Sequence, residues 1–399
     1  MSGPINDNCG SMRIALLFRS YGPYHLARLK AARSKASVLA VEFAEVDGEY
    51  DWNVADQKRR AGVVSLSTAG RRRGRDEIAK LKNLLRAFSP HAVAIPGYSE
   101  PQCLSAARLC RDLSIPTVLM SDSHALGRKR HSLREILKRS LMSLFDAALV
   151  AGTPHKNYLV RLGFPPEKIA LGYDVVDNRH FGSGTALGQS TTTFHPPRNY
   201  FFCCSRLVEG KNLHGLVDAF KRYQQSSRDD GWNLVIAGDG ALYASLSQYI
   251  EDMSLAAHVH LVGRKAYHEL PPLYAAAGAF VFPSSAETWG LVVNEAMAAG
   301  LPVLVSSAVG CHMDLVEDGI NGYIFDPIDT AGLAELFSKI ANTPDRNALG
   351  NASRRIIRHW DLDRFTSGLI AATSIARASR GAPRSATATA IAAALSYRS

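Results

Sequence analysis

Cysteine is scarce and unpatterned in this chain of 399 residues: the six stand at positions 9, 103, 110, 203, 204 and 311. No C-x-x-C pair occurs and no Cys/His group has metal spacing, so neither a zinc module nor a redox motif is encoded. Six scattered thiols are too few for a disulfide scaffold of this size. Buried structural thiols in a reducing, cytoplasmic setting are expected. Long apolar runs are missing as well. No stretch approaches the ~20 residues that span a bilayer, and runs such as Ala275–Phe282 reach half that length or less. The opening MSGPINDNCGSMRIALLF has no basic region ahead of its short apolar run, which itself contains Arg13. It reads as a first buried strand rather than a secretory signal. No repeat of ~20–50 residues is visible, which excludes solenoids and propellers. Acidic charge is short in one half only. Residues 1–195 carry 28 Lys/Arg against 17 Asp/Glu, or +11, and residues 196–399 carry 18 against 19, or −1.

What is present is alternation. Short apolar runs at Arg13–Phe18, Val38–Phe43, Ala92–Ile95, Thr117–Met120, Ala147–Ala151 and Ile169–Leu171 are separated by amphipathic segments. The same rhythm resumes with Tyr200–Cys204, Leu234–Ala237, Val259–Leu261, Ala279–Phe282, Val303–Val305 and Tyr323–Phe325. Alternating β and α with buried strands is the pattern of parallel sheets covered by helices on both faces. One Gly/Ser/Thr/Pro-rich stretch without hydrophobic period interrupts it. The expected organisation is an α/β protein of two doubly wound domains facing across a cleft. Residues 12–178 form the first domain, 179–198 a linker and 199–360 the second domain. A helix over 361–376 packs back on the first domain, and 377–399 form a mobile tail.

The chemistry concentrates in two segments. In Pro283–Pro302, PSSAETWGLVVNEAMAAGLP, a loop of small residues leads from a strand to Gly290 and then a helix that stops at Gly300. Glycine before the helix lets backbone approach a ligand. The free N–H groups near Leu291 and Val292 then offer an anion site aided by the helix dipole. Glu287 and Glu295 bracket that site, and ionised carboxylates suit sugar and ribose hydroxyls because they only accept hydrogen bonds. The second segment, Ser205–Asn212, SRLVEGKN, follows a buried strand and carries Arg206 and Lys211 around Gly210. Such cations at a strand's C-terminal end fit a diphosphate.

These residues resemble the C-terminal half of the retaining glycosyltransferases of GT-B architecture, in family 4. Glu287–Glu295 is similar to that family's E-x7-E element, and Ser205–Asn212 to its G-R-L-x-x-x-K-N element with Ser205 in place of Gly. Gly238–Gly240, Val262–Lys265 and Asp314–Pro327 resemble its GDG turn, its nucleobase loop and its closing element. The resemblance implies that Arg206 and Lys211 bind the diphosphate, that backbone at Gly290, Leu291 and Val292 approaches phosphate or sugar, and that Glu295 binds the ribose. Glu287 would orient the donor sugar, Arg264 would lie along the base, and Trp289, where Phe is more usual, would form the sugar-pocket wall. In the first half, Tyr21–Leu29 resembles the acceptor-side loop, with Gly22 and His25 as its candidates. Ser121–His124 offers His124 or Asp122 as the catalytic group. The implied reaction is retaining transfer of a sugar from a nucleotide-diphosphate sugar to a glycan or lipid-linked acceptor, in cell-surface polysaccharide or glycolipid synthesis. It implies no metal and no cofactor beyond the sugar nucleotide.

Alternatives remain at this level. A glycosidase using Glu287 and Glu295 leaves Arg206 and Lys211 unexplained, since it holds no phosphate. A nucleotide-sugar epimerase or a phosphorylase would keep the architecture. Arg71–Arg75, RRRGR, prompts a polyanion or nucleic-acid binder, but no recognised nucleic-acid module accompanies it, and no specific nucleic-acid partner is expected. Finally, Gly127–Phe145 reads as a basic amphipathic helix, with Arg128, Lys129, Arg130, Arg134, Lys138 and Arg139 beside Leu133, Ile136, Leu137, Leu141 and Leu144. Such a helix suits an anionic lipid surface on the inner face of a membrane.

Overall fold

A computed structural model describes residues 12–45, 54–67, 74–126, 132–184, 197, 199–227, 231–379 and 391–395. The cluster Arg71–Arg75 and the stretch 127–131 of the basic helix lie outside what it describes in full.

Seven strands form the first sheet: β1 Arg13–Phe18, β2 Ser37–Ala44, β3 Val64–Ser67, β4 Ala92–Pro96, β5 Thr117–Ser121, β6 Ala147–Val150 and β7 Ile169–Leu171. Their order is β3-β2-β1-β4-β5-β6-β7, every pair parallel. Six strands form the second: β8 Tyr200–Cys204, β9 Asn233–Ala237, β10 Val259–Leu261, β11 Ala279–Phe282, β12 Val303–Ser306 and β13 Gly322–Phe325. Their order is β10-β9-β8-β11-β12-β13, again all parallel. The order reverses at β1/β4 and at β8/β11. Ligand crevices of open α/β sheets lie beyond the carboxyl ends at such reversals. The loops after β1, β8 and β11 are the ones that carry Gly22, Arg206/Lys211 and Glu287.

Strand alternation sorts the core. In β1, Ala15 and Leu17 join one buried cluster while Ile14, Leu16 and Phe18 join another on the opposite face. In β8, Phe201 and Cys203 face one way and Tyr200 and Phe202 the other. Cys103, Cys110, Cys203 and Cys311 are buried and outside any disulfide, with Cys204 half-buried.

Some features depart from what the sequence predicts. Strand β3, VSLS, was not foreseen, because half of its four side chains are polar. The helix Arg346–Ile357, capped by Asp345, was missed as well; it packs against the helix that follows Gly290. The stretch read as linker begins inside a helix, Asn178–Gly182, whose Asp177 cap accepts the N–H groups of Arg179 and His180 and whose Phe181 is fully buried. In the stretch read as a mobile tail, residues 391–395 form a helical turn that buries Ala392 in the first domain's core. The helix Leu362–Ala378 inserts Phe365, Leu369, Ala372 and Ala376 under the first sheet, all fully buried. Burying one such large side chain contributes about 1.5–3 kcal/mol, so the chain's last long helix stabilises its first domain.

Candidate active site

The second domain's side of the candidate site is built by two turns locked together. Gly210, in the turn Glu209–Lys211, accepts the N–H of Ser285 (3.0 Å) and the hydroxyl of Ser284 (2.8 Å) through its carbonyl. Asn212, in a left-handed conformation (φ 53°), donates to the carbonyls of Pro283 and Pro327. These bonds hold the loop after β8 against the loop after β11. Lys211 and Glu287 consequently form an ion pair, with the Lys211 ammonium 5.2 Å above the Phe282 ring. Arg206 stands exposed just past the end of β8. Gly238 of the GDG turn packs so closely that a Cβ there would sit 1.8 Å from the Ser205 carbonyl.

Gly290 precedes the helix Leu291–Ala299 with φ 99°, a left-handed value that disfavours every side-chain-bearing residue. The helix therefore starts at Leu291 and aims its free N–H groups at the cleft. Glu295 lies one turn further on and is completely buried. Tyr274 donates to its Oε2 at 2.7 Å and Tyr24, from the other domain, to its Oε1 at 2.6 Å. Burial pushes its carboxyl from 4.5 up to about 7, against the opposing pull of the two tyrosine hydrogen bonds.

The first domain grips this loop with histidines. His124 Nε2–H meets the Glu287 carbonyl at 2.7 Å, and His155 Nε2–H meets the Thr288 carbonyl at 2.9 Å. Each Nδ1 accepts a backbone N–H, from Leu126 and Gly152 respectively, so both rings are the neutral Nε2–H tautomer. Burial lowers His155 to about 4. Beside them the Asp314 carboxylate takes the Thr153 N–H (2.8 Å) and hydroxyl (2.6 Å), a second link between domains.

The predicted residues thus divide. Lys211, Glu287, Gly290, Leu291, Val292 and His124 gather at the cleft, with Glu295 beneath. Arg264 is exposed on the loop after β10, and Asp122 is half-buried after β5. His25 closes a capping box: its Nδ1 accepts the Gly22 N–H at 3.1 Å and its ring packs on Phe18. Burial, with Arg28 and Lys58 nearby, lowers it to about 3. It caps a helix, as does Gly22 beside it. Trp289 does not wall a pocket. It is buried, donates to Asn294 and packs between His155 and Trp360. His124 has both nitrogens committed in this arrangement, Nε2 to the Glu287 carbonyl and Nδ1 to the Leu126 N–H.

Several residues escaped the sequence reading: Tyr24, Tyr274, His155, and the buried pair Arg28–Asp174 (3.3 Å). Burial raises Asp174 to about 7, and its Oδ2 has no hydrogen-bond partner. For His155 a signal existed. Gly-x-x-His occurs at both Gly22–His25 and Gly152–His155, each opening a helix, and in each the histidine closes a capping box on the glycine N–H.

Two facing parallel-sheet domains with the site in the cleft between them are the GT-B fold of glycosyltransferases. Residues 190–356 match the model of the family described as glycosyl transferases group 1. The chain is similar to a GDP-mannose-dependent α-(1-6)-phosphatidylinositol monomannoside mannosyltransferase of Mycobacterium tuberculosis, 31% identical over 42% of this chain and 45% of that protein. It is also similar to a sulfoquinovosyl transferase of Arabidopsis thaliana, 33% identical over 75% of this chain and 58% of that one. The matched stretches span about half the length of these relatives. Among solved structures, Anabaena HepE in complex with UDP superposes with a TM-score of 0.70 at 18% identity, covering 90% of this chain and 98% of that one. A sucrose-phosphate synthase of Thermosynechococcus elongatus superposes with a TM-score of 0.69 at 17% identity. At these identities the superpositions establish the fold.

Proposed function

We propose that this protein is a retaining glycosyltransferase that moves a sugar from a nucleotide-diphosphate sugar to a glycan or lipid-linked acceptor, in the synthesis of a surface polysaccharide or glycolipid. The observation that carries this reading is the meeting of Lys211, Glu287 and the Gly290–Leu291 helix start at the β8/β11 reversal. Cations and free backbone donors side by side suit a diphosphate, and a carboxylate next to them suits a sugar hydroxyl. Residues 199–360 bind the donor and residues 12–178 take the acceptor. As the diphosphate departs, negative charge grows on the leaving oxygens and the sugar gains oxocarbenium character. Arg206, Lys211 and the helix N-terminus stabilise that charge, so the reaction uses no metal and no further cofactor. Glu287 orients the sugar, held by His124 behind it; Glu295 receives the ribose; Arg264 lies along the base; and Asp122 faces the acceptor. The same-face attack that retains configuration needs no protein nucleophile. The test is a panel of UDP-, GDP- and ADP-sugars, read by thermal shift and product formation. Glu287→Ala and Arg206→Ala should abolish turnover with the fold intact; full activity in either refutes the assignment.

The same reading extends to a lipid surface. No helix among the described residues is long and apolar enough to cross a membrane. The helix Ser132–Met142, however, exposes Leu133 (78%), Ile136 (59%) and Leu137 beside Arg134 and Arg139, while Leu141 and Met142 are buried. A basic helix with exposed leucines suits the anionic inner face of a membrane. Sedimentation with anionic and with neutral vesicles tests it, and equal, negligible binding to both refutes it.

A further inference from the structure

Glu295 cannot meet a ribose in the arrangement described. Its two carboxylate oxygens each receive a tyrosine hydroxyl, and none of its surface is exposed. The two tyrosines differ in what anchors them. Tyr274 is fully buried in the helix Leu270–Ala276, inside the same domain as Glu295 and within its aromatic core. Tyr24 comes from the opposite domain. It stands on the first turn of the helix Pro23–Arg33 and reaches across the cleft, with its ring edge-on to Tyr267 at 5.4 Å. Tyr267 is itself steadied by stacking on His180, 4.2 Å away with the two rings nearly parallel. Of the two hydroxyls on Glu295, the one that domain opening or loop movement removes is that of Tyr24.

We propose that Tyr24 is a gate that stands in for the donor ribose. Resting on the donor reading above, its phenol O–H occupies the acceptor oxygen that a ribose hydroxyl takes, and the arriving nucleotide displaces it. Donor entry therefore frees the turn Tyr21–His25 from the second domain. The first domain's acceptor-side loop becomes movable only when the donor site is filled. A ligand that binds one of two states shifts the population toward it, so the nucleotide opens this contact and the contact opposes the nucleotide. Tyr24 thereby couples donor occupancy to the loop the acceptor meets, without touching the transferred sugar.

The coupling has a direction that an ordinary packing role lacks. Removing the phenol hydroxyl should make the nucleotide bind more tightly, whereas losing a supporting residue weakens binding. The experiment is isothermal titration calorimetry of the full chain with UDP, GDP and ADP, for wild type, Tyr24→Phe, Tyr274→Phe and Lys211→Ala. A hydrogen bond to a charged group is worth about a tenfold change in a competing equilibrium. Tyr24→Phe is expected to lower the dissociation constant of the accepted nucleotide about tenfold. Tyr274→Phe, which keeps the gate, is expected not to tighten it. Hydrogen exchange on the wild type supplies a second reading: the amides of Tyr21–Arg28 should lose protection when the nucleotide is added. Unchanged or weaker binding in Tyr24→Phe, with Lys211→Ala still weakened, overturns the gate and leaves the donor site standing. Absence of nucleotide binding in all four proteins overturns both.

Discussion

Replacing Glu295 by Gln isolates the cost of keeping a carboxylate at the bottom of the cleft. Glutamine has the same shape, stays neutral at every pH and can still hydrogen-bond the hydroxyls of Tyr24 and Tyr274. In the folded protein the Glu295 carboxyl titrates near 7, against 4.5 in the unfolded chain, because burial penalises its ionised form. The folded state therefore holds a proton that the unfolded state has already released. Stability falls as pH rises from 4.5 through about 7 and levels off above that. At ~1.4 kcal/mol per pH unit, the whole window amounts to about 3 kcal/mol, of which about 2 kcal/mol lies between pH 5.5 and 8. Glu295→Gln should thus gain on the wild type by about 2 kcal/mol when the two are compared at pH 8 rather than at pH 5.5. For a domain of this size that is a relative rise in Tm of roughly 4–8 °C. Differential scanning calorimetry at both pH values and one ionic strength measures it. Asp174, which also titrates near 7, is present in both proteins and cancels. An identical Tm difference at the two pH values would refute the account of Glu295 as a buried, ionisable carboxyl.

Three further outcomes follow from the geometry. Lys211→Ala should raise the dissociation constant of the nucleoside diphosphate at least tenfold and add salt-insensitivity to what binding remains, read by calorimetry at two ionic strengths. Phe365→Ala should destabilise the first domain, not the second, by about 3–5 kcal/mol, because its ring is fully buried under the first sheet; hydrogen exchange of Ile14–Phe18 is the readout, and unchanged protection there contradicts it. His155→Ala should lose both the Gly152 cap and the bond to the Thr288 carbonyl. About 2–3 kcal/mol of stability and a large part of kcat should go with it, with little change in nucleotide affinity, measured by urea unfolding and initial rates.

Much of the second domain's side of the candidate site was legible because its spacing is local. Gly290 between two glutamates, and Gly210 between Arg206 and Lys211, place cations, carboxylates and a helix start within a few residues of strand ends. The first domain's side was not, because its candidates stand alone. His25 and His124 looked alike as isolated histidines, yet one closes a capping box inside its own domain and the other reaches Glu287, 163 residues away. The family resemblance implies a pocket wall at Trp289, but the direction of its indole depends on Trp360 and His155, which arrive from elsewhere in the chain.

The sequence by itself determined the α/β alternation, the strands β1, β7, β8, β10 and β11 to the residue, and the glycine-led helix between Glu287 and Glu295. Each of these follows from hydrophobic period and backbone freedom over a few residues. The tertiary structure decided what those groups meet. Tyr24 and Glu295 are 271 residues apart and touch only because the reversals β1/β4 and β8/β11 face each other. Phe365, Leu369, Ala372 and Ala376 of the last long helix lie in the first domain's core. Local periodicity states which face of an element is buried; only the packing of whole domains states against which partner, and there the carboxylates, histidines and tyrosines acquire their roles.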